Sequence, residues 1–186
     1  MPSLKLVGLA GSYSRPSKSR TLVEEVSTLA SARYGFRRRI YDLHDAGPSL
    51  GQAQRYEDLD PNARQLIDDI VAADVLVIGS PTYKGSYPGL FKHLVDLIEP
   101  LALRGKPIVV TATGGGDRHA LMVEHQLRPL FGFFMAHTLP TAIYASDRDF
   151  SESGIAVEPL RRRIAQAVDE LAVFFPMSVQ PVAAAE

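Results

Sequence analysis

The chain reads as an α/β protein with a doubly wound, five-stranded parallel sheet, strand order 2-1-3-4-5 and helices on both faces. Three observations predict this. Four short apolar runs, Leu6–Ala10, Val75–Gly79, Ile108–Val110 and Ala142–Ala145, are near-continuous rather than alternating, as strands covered on both faces require. Helical periodicities lie between them. The remaining strand candidate, Phe36–Leu43, carries Arg37, Arg38 and Arg39, which suit an exposed edge better than a sheet centre.

The elements follow in order. Leu6–Ala10 is the first strand, and Leu22, Val23, Val26, Leu29 and Ala30 mark the helix behind it. The arginine-rich edge strand comes next. A second helix is marked by Ala63, Leu66, Ile67, Ile70 and Val71, with Pro61 near its start, where proline's missing N–H costs nothing. Val75–Gly79 leads through a loop to a third helix behind Pro88, carrying Leu90, Phe91, Leu94, Leu97 and Ile98. Ile108–Val110 leads to a helix from about Asp117 to Phe134, Ala142–Ala145 is the last strand, and a final helix spans Glu158 to Phe175. Residues 1–176 then form a single domain, and residues 177–186 a loosely ordered tail.

Composition narrows the function. At 186 residues, 46% hydrophobic and 22% charged, the chain is ordinary for a soluble globular protein. A formal charge of −1 argues against nucleic acid or a polybasic membrane attachment. Cysteine is absent, which excludes disulfides, thiolate metal sites and thiol catalysis. The five histidines show no metal-ligand spacing, so no metal is expected. With no secretory apolar segment near Met1, the expected location is cytoplasmic.

Three loops at the carboxyl ends of strands carry the chemistry. Gly11–Thr21 contains three cations, no carboxylate and five aliphatic hydroxyls, and runs from a strand into a helix N-terminus. Backbone N–H groups and the helix dipole make such a turn an anion cradle, here for a phosphate monoester. It matches neither the G-x-x-x-x-G-K-[ST] nor the G-x-G-x-x-G pattern. After the third strand, Gly79–Gly89 is stiff and turn-rich. Pro81 fixes the entry, and Thr82, Tyr83, Lys84 and Gly85 can present consecutive N–H groups to a planar heterocycle. After the fourth strand, Thr113, Gly114, Gly115 and Gly116 form either a flexible turn or a wall without side chains, against which a ring can lie.

These residues carry a family resemblance. Gly11-Ser-x-Ser-x-x-Ser-x-Ser, Gly79-Ser-Pro-x-Tyr-x-Gly-Ser-x-Pro-Gly-x-Phe-Lys and Thr113-Gly-Gly together resemble the flavodoxin-like NAD(P)H-dependent FMN reductases over about residues 4–175. Leu121–Leu130, with His125 and Pro129, and Ala142–Phe150 resemble most the reductase components of two-component alkanesulfonate and methanesulfonate monooxygenases. The resemblance implies that FMN is reduced by NADH or NADPH and that FMNH2 passes to a separate monooxygenase. It implies a homodimer or homotetramer. Ser12, Ser14, Ser17, Lys18, Ser19 and Arg20 would surround the FMN phosphate. Pro81, Thr82, Tyr83, Lys84 and Gly85 would border the isoalloxazine, with Thr113, Gly114, Gly115 and Gly116 on its other side. Arg15, Lys18 and Arg20 compete for the phosphate-contacting cation, Arg20 being favoured. The alternatives are a quinone or azo-dye reductase with tightly bound FMN, and a non-enzymatic electron carrier; the weak net charge disfavours the carrier.

No catalytic acid, base or nucleophile is required, because the hydride chemistry belongs to the flavin. Pro129 withdraws the donor that would bond the carbonyl of His125 and kinks the helix there. In the resembled family this helix has a π-type turn at a subunit interface. His125 is therefore a candidate for oligomer packing and flavin exchange, against a plain packing kink. The run Leu130–Met135 reads first as core and second as subunit contact, and Arg161–Arg163 as a solvated helix face.

Overall fold

The computed structural model describes residues 3–152 and 154–175; the expected tail, 177–186, lies outside the described residues. Strands β1 (Lys5–Ala10), β2 (Arg37–Asp42), β3 (Val75–Pro81) and β4 (Pro107–Gly114) run parallel in the order β2-β1-β3-β4. Two further segments, β5 (His137–Thr138) and β6 (Ile143–Ser146), both pair parallel with β4 and together fill the fifth position. The order 2-1-3-4-5 therefore holds, with the last strand split.

The split has a physical cause. Between β5 and β6 the backbone leaves the ladder, and side chains take over its hydrogen bonds. Arg128 donates to the carbonyls of Leu139 (2.8 Å) and Pro140 (3.2 Å), Glu170 accepts the Thr141 N–H (2.9 Å), and Arg163 Nε donates to the Ala142 carbonyl (2.6 Å). Buried backbone groups need partners, and here distant side chains provide them. Arg163, expected on a solvated face, thus reaches a carbonyl, as does Arg161 toward Ile155.

The near-continuous strands divide their side chains between two cores. Leu76, Ile78, Ile108 and Val110 face helices α2 (Pro61–Ala72), α3 (Gly89–Asp96) and α4 (Arg128–Phe133). Leu6, Val75, Val77 and Val109 face α1 (Lys18–Tyr34) and α5 (Glu158–Asp169). Each fully buried aliphatic side chain contributes about 1.5–3 kcal/mol, and period-two alternation supplies both faces from one run. The arginine-rich β2 is the edge that its charge predicts: it pairs with β1, and Arg37, Arg38 and Arg39 are exposed.

Capping sets where the helices begin. Ser17 caps α1 by accepting the Arg20 N–H (3.2 Å), and Asp60 caps α2 through Asn62 and Ala63. The expected kinked helix 117–134 resolves into three pieces: a 3₁₀ turn at Asp117–His119, a π turn at Val123–Leu127, and α4. Proline at position 129 has no N–H, and the Arg128 N–H reaches back five residues to the Val123 carbonyl. The expected last helix likewise ends at Asp169 and tightens to a 3₁₀ turn at Glu170–Val173.

Candidate functional site

Parallel registry puts the ends of β1, β3, β4 and β6 side by side: Ala10 opposite Gly79, Pro81 opposite Thr113, Gly114 opposite Ser146. The three loops thus start from neighbouring strands at the switch point, where doubly wound sheets hold ligands. Hydrogen bonds tie them together. Gly11 N–H donates to the Gly79 carbonyl (2.6 Å), and Thr82 N–H to the Thr113 carbonyl (2.7 Å). The buried hydroxyls of Ser19 and Thr113 lie 2.6 Å apart.

The first loop is built around hydroxyls. Ser12 is buried and its Oγ accepts the Ser14 N–H (3.3 Å), while its carbonyl accepts the Leu43 N–H (3.1 Å). Ser14 and Lys18 are exposed and Ser17 is half-buried at the helix mouth, whereas Ser19 is turned inward onto Thr113. The cations all have carboxylate partners. Arg15 forks onto Asp42 with two 2.8 Å bonds and reaches Asp45 at 2.6 Å. Arg20 bridges Asp42 (2.6 Å) and Glu24 (2.8 Å). Lys18 pairs with Asp147 (2.9 Å). Asp42, at the end of β2, has a fully buried side chain. Burial opposes its ionisation, but the hydrogen bonds from Arg15 and Arg20 outweigh it and hold its carboxyl below the usual range. The Asp42 and Asp45 bonds in turn raise the Arg15 guanidinium above its ordinary value.

In the second loop, Tyr83-Lys84-Gly85-Ser86 is a tight two-residue hairpin turn. Lys84 (φ 54°) and Gly85 (φ 88°) are both left-handed, and Tyr83 and Ser86 exchange backbone bonds of 2.8 and 3.2 Å. The row of four free amides that the sequence suggests is therefore reduced. The N–H groups of Thr82 and Tyr83 are engaged, and among the described residues those of Lys84 and Gly85 have no acceptor. The buried hydroxyl of Thr82 also lacks a partner.

The third loop contains two kinds of glycine. A Cβ on Gly114 would collide with the hydroxyl of Tyr144, which donates to the Gly116 carbonyl (2.6 Å). Burial, then the nearby Asp117, raises the phenol pKa and keeps that proton in place. Gly115 and Gly116 face open space, with nothing within 4 Å of where a Cβ would be. The bare wall is thus Gly115–Gly116, while Gly114 makes room for a tyrosine.

A family model described as NADPH-dependent FMN reductase matches residues 4–151. The chain belongs to the NADPH-dependent FMN reductase family. It is 40% identical over 179 residues, 96% of each chain, to the NADH-dependent FMN reductase SfnF of Pseudomonas fluorescens. It is 41% identical over 171 residues, 92% of each, to an FMN reductase (NADPH) of Pseudomonas aeruginosa. Among solved structures it resembles the apo form of the NADH:FMN oxidoreductase EMOB, with a TM-score of 0.83 at 26% identity, covering 96% of this chain and 92% of that one. As a member of this family the chain is an oxidoreductase acting with FMN and NAD(P)H.

The site of this FMN reductase fits a flavin by its own geometry. The amides of Lys84 and Gly85 and the bare Gly115–Gly116 wall are donors and a surface suited to a flat heterocycle. His125 lies in the π turn with an exposed side chain, and its neighbour Gln126 accepts from Ser86 Oγ (2.9 Å), joining that turn to the second loop. Sequence reasoning missed Asp42, Asp45 and Tyr144. The pair Asp42-x-x-Asp45 closing a basic strand, and a tyrosine inside the apolar run Ala142–Ala145, were the available signals. Among the described residues no His/Asp/Glu group could hold a metal, and no helix is long and apolar enough to cross a membrane.

Proposed function

We propose that this reductase acts in the cytoplasm as the flavin-supplying half of a two-component system, taking hydride from NADH or NADPH and releasing FMNH2 to a separate monooxygenase of sulfonates. Bound flavin supplies the hydride-accepting chemistry, and the protein supplies orientation and an electrostatic frame. Lys84 and Gly85 N–H would donate to the ring's polar edge; Pro81, Thr82 and Tyr83 would border it, and Thr113 with Gly114–Gly116 would support its other side. The free first-turn amides of α1, at Lys18 and Ser19, together with the Ser14 and Ser17 hydroxyls, would receive the phosphate. Ser12 shapes the loop, and Arg20 stands behind it.

The observation that carries this reading is the convergence of three tied loops on an open glycine wall, in a chain whose relatives are named FMN reductases. An open groove between α3 and α4, lined by Leu97, Ile98, Leu130, Phe133 and Phe134 with Lys92, Asp96 and Glu99 also on its walls, supports a homodimer or homotetramer. The decisive test is purification followed by nicotinamide oxidation. A colourless protein that oxidises NADH or NADPH only with added FMN fits the proposal. A yellow protein that holds one flavin per chain and reduces quinones or azo dyes would establish the alternative reductase instead.

A further inference from the structure

The three cations of the phosphate loop face four carboxylates: Arg15 and Arg20 face Asp42, Asp45 and Glu24, and Lys18 faces Asp147. Asp42 is held from every side, by two bonds from Arg15, one from Arg20, and the backbone N–H groups of His44 (3.0 Å) and Asp45 (3.3 Å). Two nitrogens of each guanidinium are thereby engaged, and the local charge around the cradle is −1 rather than +3, counting 3 cations against 4 carboxylates. A phosphate dianion approaching the α1 N-terminus meets hydroxyls and amides, with its nearest cations already neutralised.

We propose that Asp42 and Asp45 are specificity-determining residues of the flavin site: by holding Arg15 and Arg20 they withhold positive charge from the phosphate. Flavin is then recognised chiefly through its ring and ribityl chain, and FMN leaves readily. Asp42 acts from beneath, fixing both arginines. Asp45, 31% exposed, is the member whose charge can be removed without opening the core. The proposal rests on the flavin reading of the site and assigns a determinant within it.

The test is equilibrium binding of FMN and of riboflavin to the full flavin-free chain, followed by flavin fluorescence, for the wild type and Asp45→Asn. The asparagine oxygen can still accept the Asp42 N–H that Asp45 accepts at 2.9 Å, so the loop keeps its shape. Removing one negative charge near the dianion should tighten FMN roughly three- to tenfold and leave riboflavin within about twofold. The FMN gain should shrink at high salt, where exposed charges are screened. Asp45→Ala should tighten FMN in the same direction, which guards against a defect peculiar to asparagine. Unchanged or weaker FMN binding in both variants, or equal shifts for FMN and riboflavin, would overturn the proposal while leaving the flavin site standing. Binding of neither flavin by the wild type would remove the site and the proposal together.

Discussion

Replacing Gly114 by alanine tests whether Tyr144 is part of the site's frame. A methyl at 114 would press on the Tyr144 hydroxyl well inside van der Waals contact and lie 3.3 Å from its Cζ. The ring must swing away, which breaks its 2.6 Å bond to the Gly116 carbonyl. Overpacking of this kind costs about 1–3 kcal/mol, and the lost hydrogen bond about 1 kcal/mol more. The sum, about 2–4 kcal/mol, lowers Tm by roughly 5–15 °C in a chain of this length. Tyr144→Phe alone removes the hydroxyl and should cost only about 1 kcal/mol. In the double variant the nearest ring atom is then Cζ, a contact that a shift of a few tenths of an ångström relieves. Thermal unfolding of the four proteins should therefore show strong coupling, with the double variant close to Tyr144→Phe. Strict additivity, or a Gly114→Ala protein as stable as the parent, would refute the assignment of Gly114 to Tyr144. Gly116→Ala is the control from the other class. Its backbone is extended (φ −171°) and nothing lies within 4 Å, so stability should stay within about 0.5 kcal/mol while the KM for FMN rises.

Other outcomes follow from the same geometry. The Asp42 carboxyl is held below its ordinary value, so its contribution is complete above the unfolded value near 3.9 and is lost as pH falls through the lower folded one. Urea midpoints measured from pH 6 down to pH 3 should therefore fall more steeply for the wild type than for Asp42→Asn, and parallel curves would contradict the pairing. Arg128→Ala removes the donors to Leu139 and Pro140 and the partner of Glu124; a loss of about 2–4 kcal/mol in denaturant unfolding is expected, with a shallow loss counting against its role in the split strand. Phe133, 66% exposed beside the α3–α4 groove, should be dispensable for folding but not for assembly. Phe133→Asp is expected to reduce subunit mass in light scattering without moving Tm by more than a few degrees. His125→Ala should alter flavin retention or subunit mass, and no change in either would leave the π turn a packing feature.

Much of the fold was legible because its signals are local. Leu6–Ala10 and Val75–Gly79 read as doubly covered strands since buried parallel strands have no polar face, and Arg37–Arg39 read as an edge since three guanidiniums cannot sit inside a sheet. Pro129 announced the broken helix through its missing donor. The split of the fifth strand was not legible, because its carbonyls are bonded by Arg128 and Arg163, a choice made in tertiary space. The site divides the same way. That the three loops would meet follows from their places at strand ends, but the fate of their charges does not. Arg15 finds Asp42 across 27 residues, and Gly114 meets Tyr144 across 30.

That division bears on how the site is built. The bonds joining its loops, Gly11 to Gly79 and Thr82 to Thr113, run between backbone groups, and the donors left at the ring position are largely amides. Backbone donors persist through side-chain replacement, so a hydride transfer that asks only for alignment should survive any single truncation in the three loops with KM altered more than kcat. Side chains are concentrated instead at the phosphate end, where Arg15, Arg20, Asp42 and Asp45 form one network, and where substitutions can move flavin affinity in either direction. With the flavin bound as proposed, ring position and phosphate grip would be set by separate parts of the chain, and release of reduced flavin would be tunable without disturbing the surface on which it is formed.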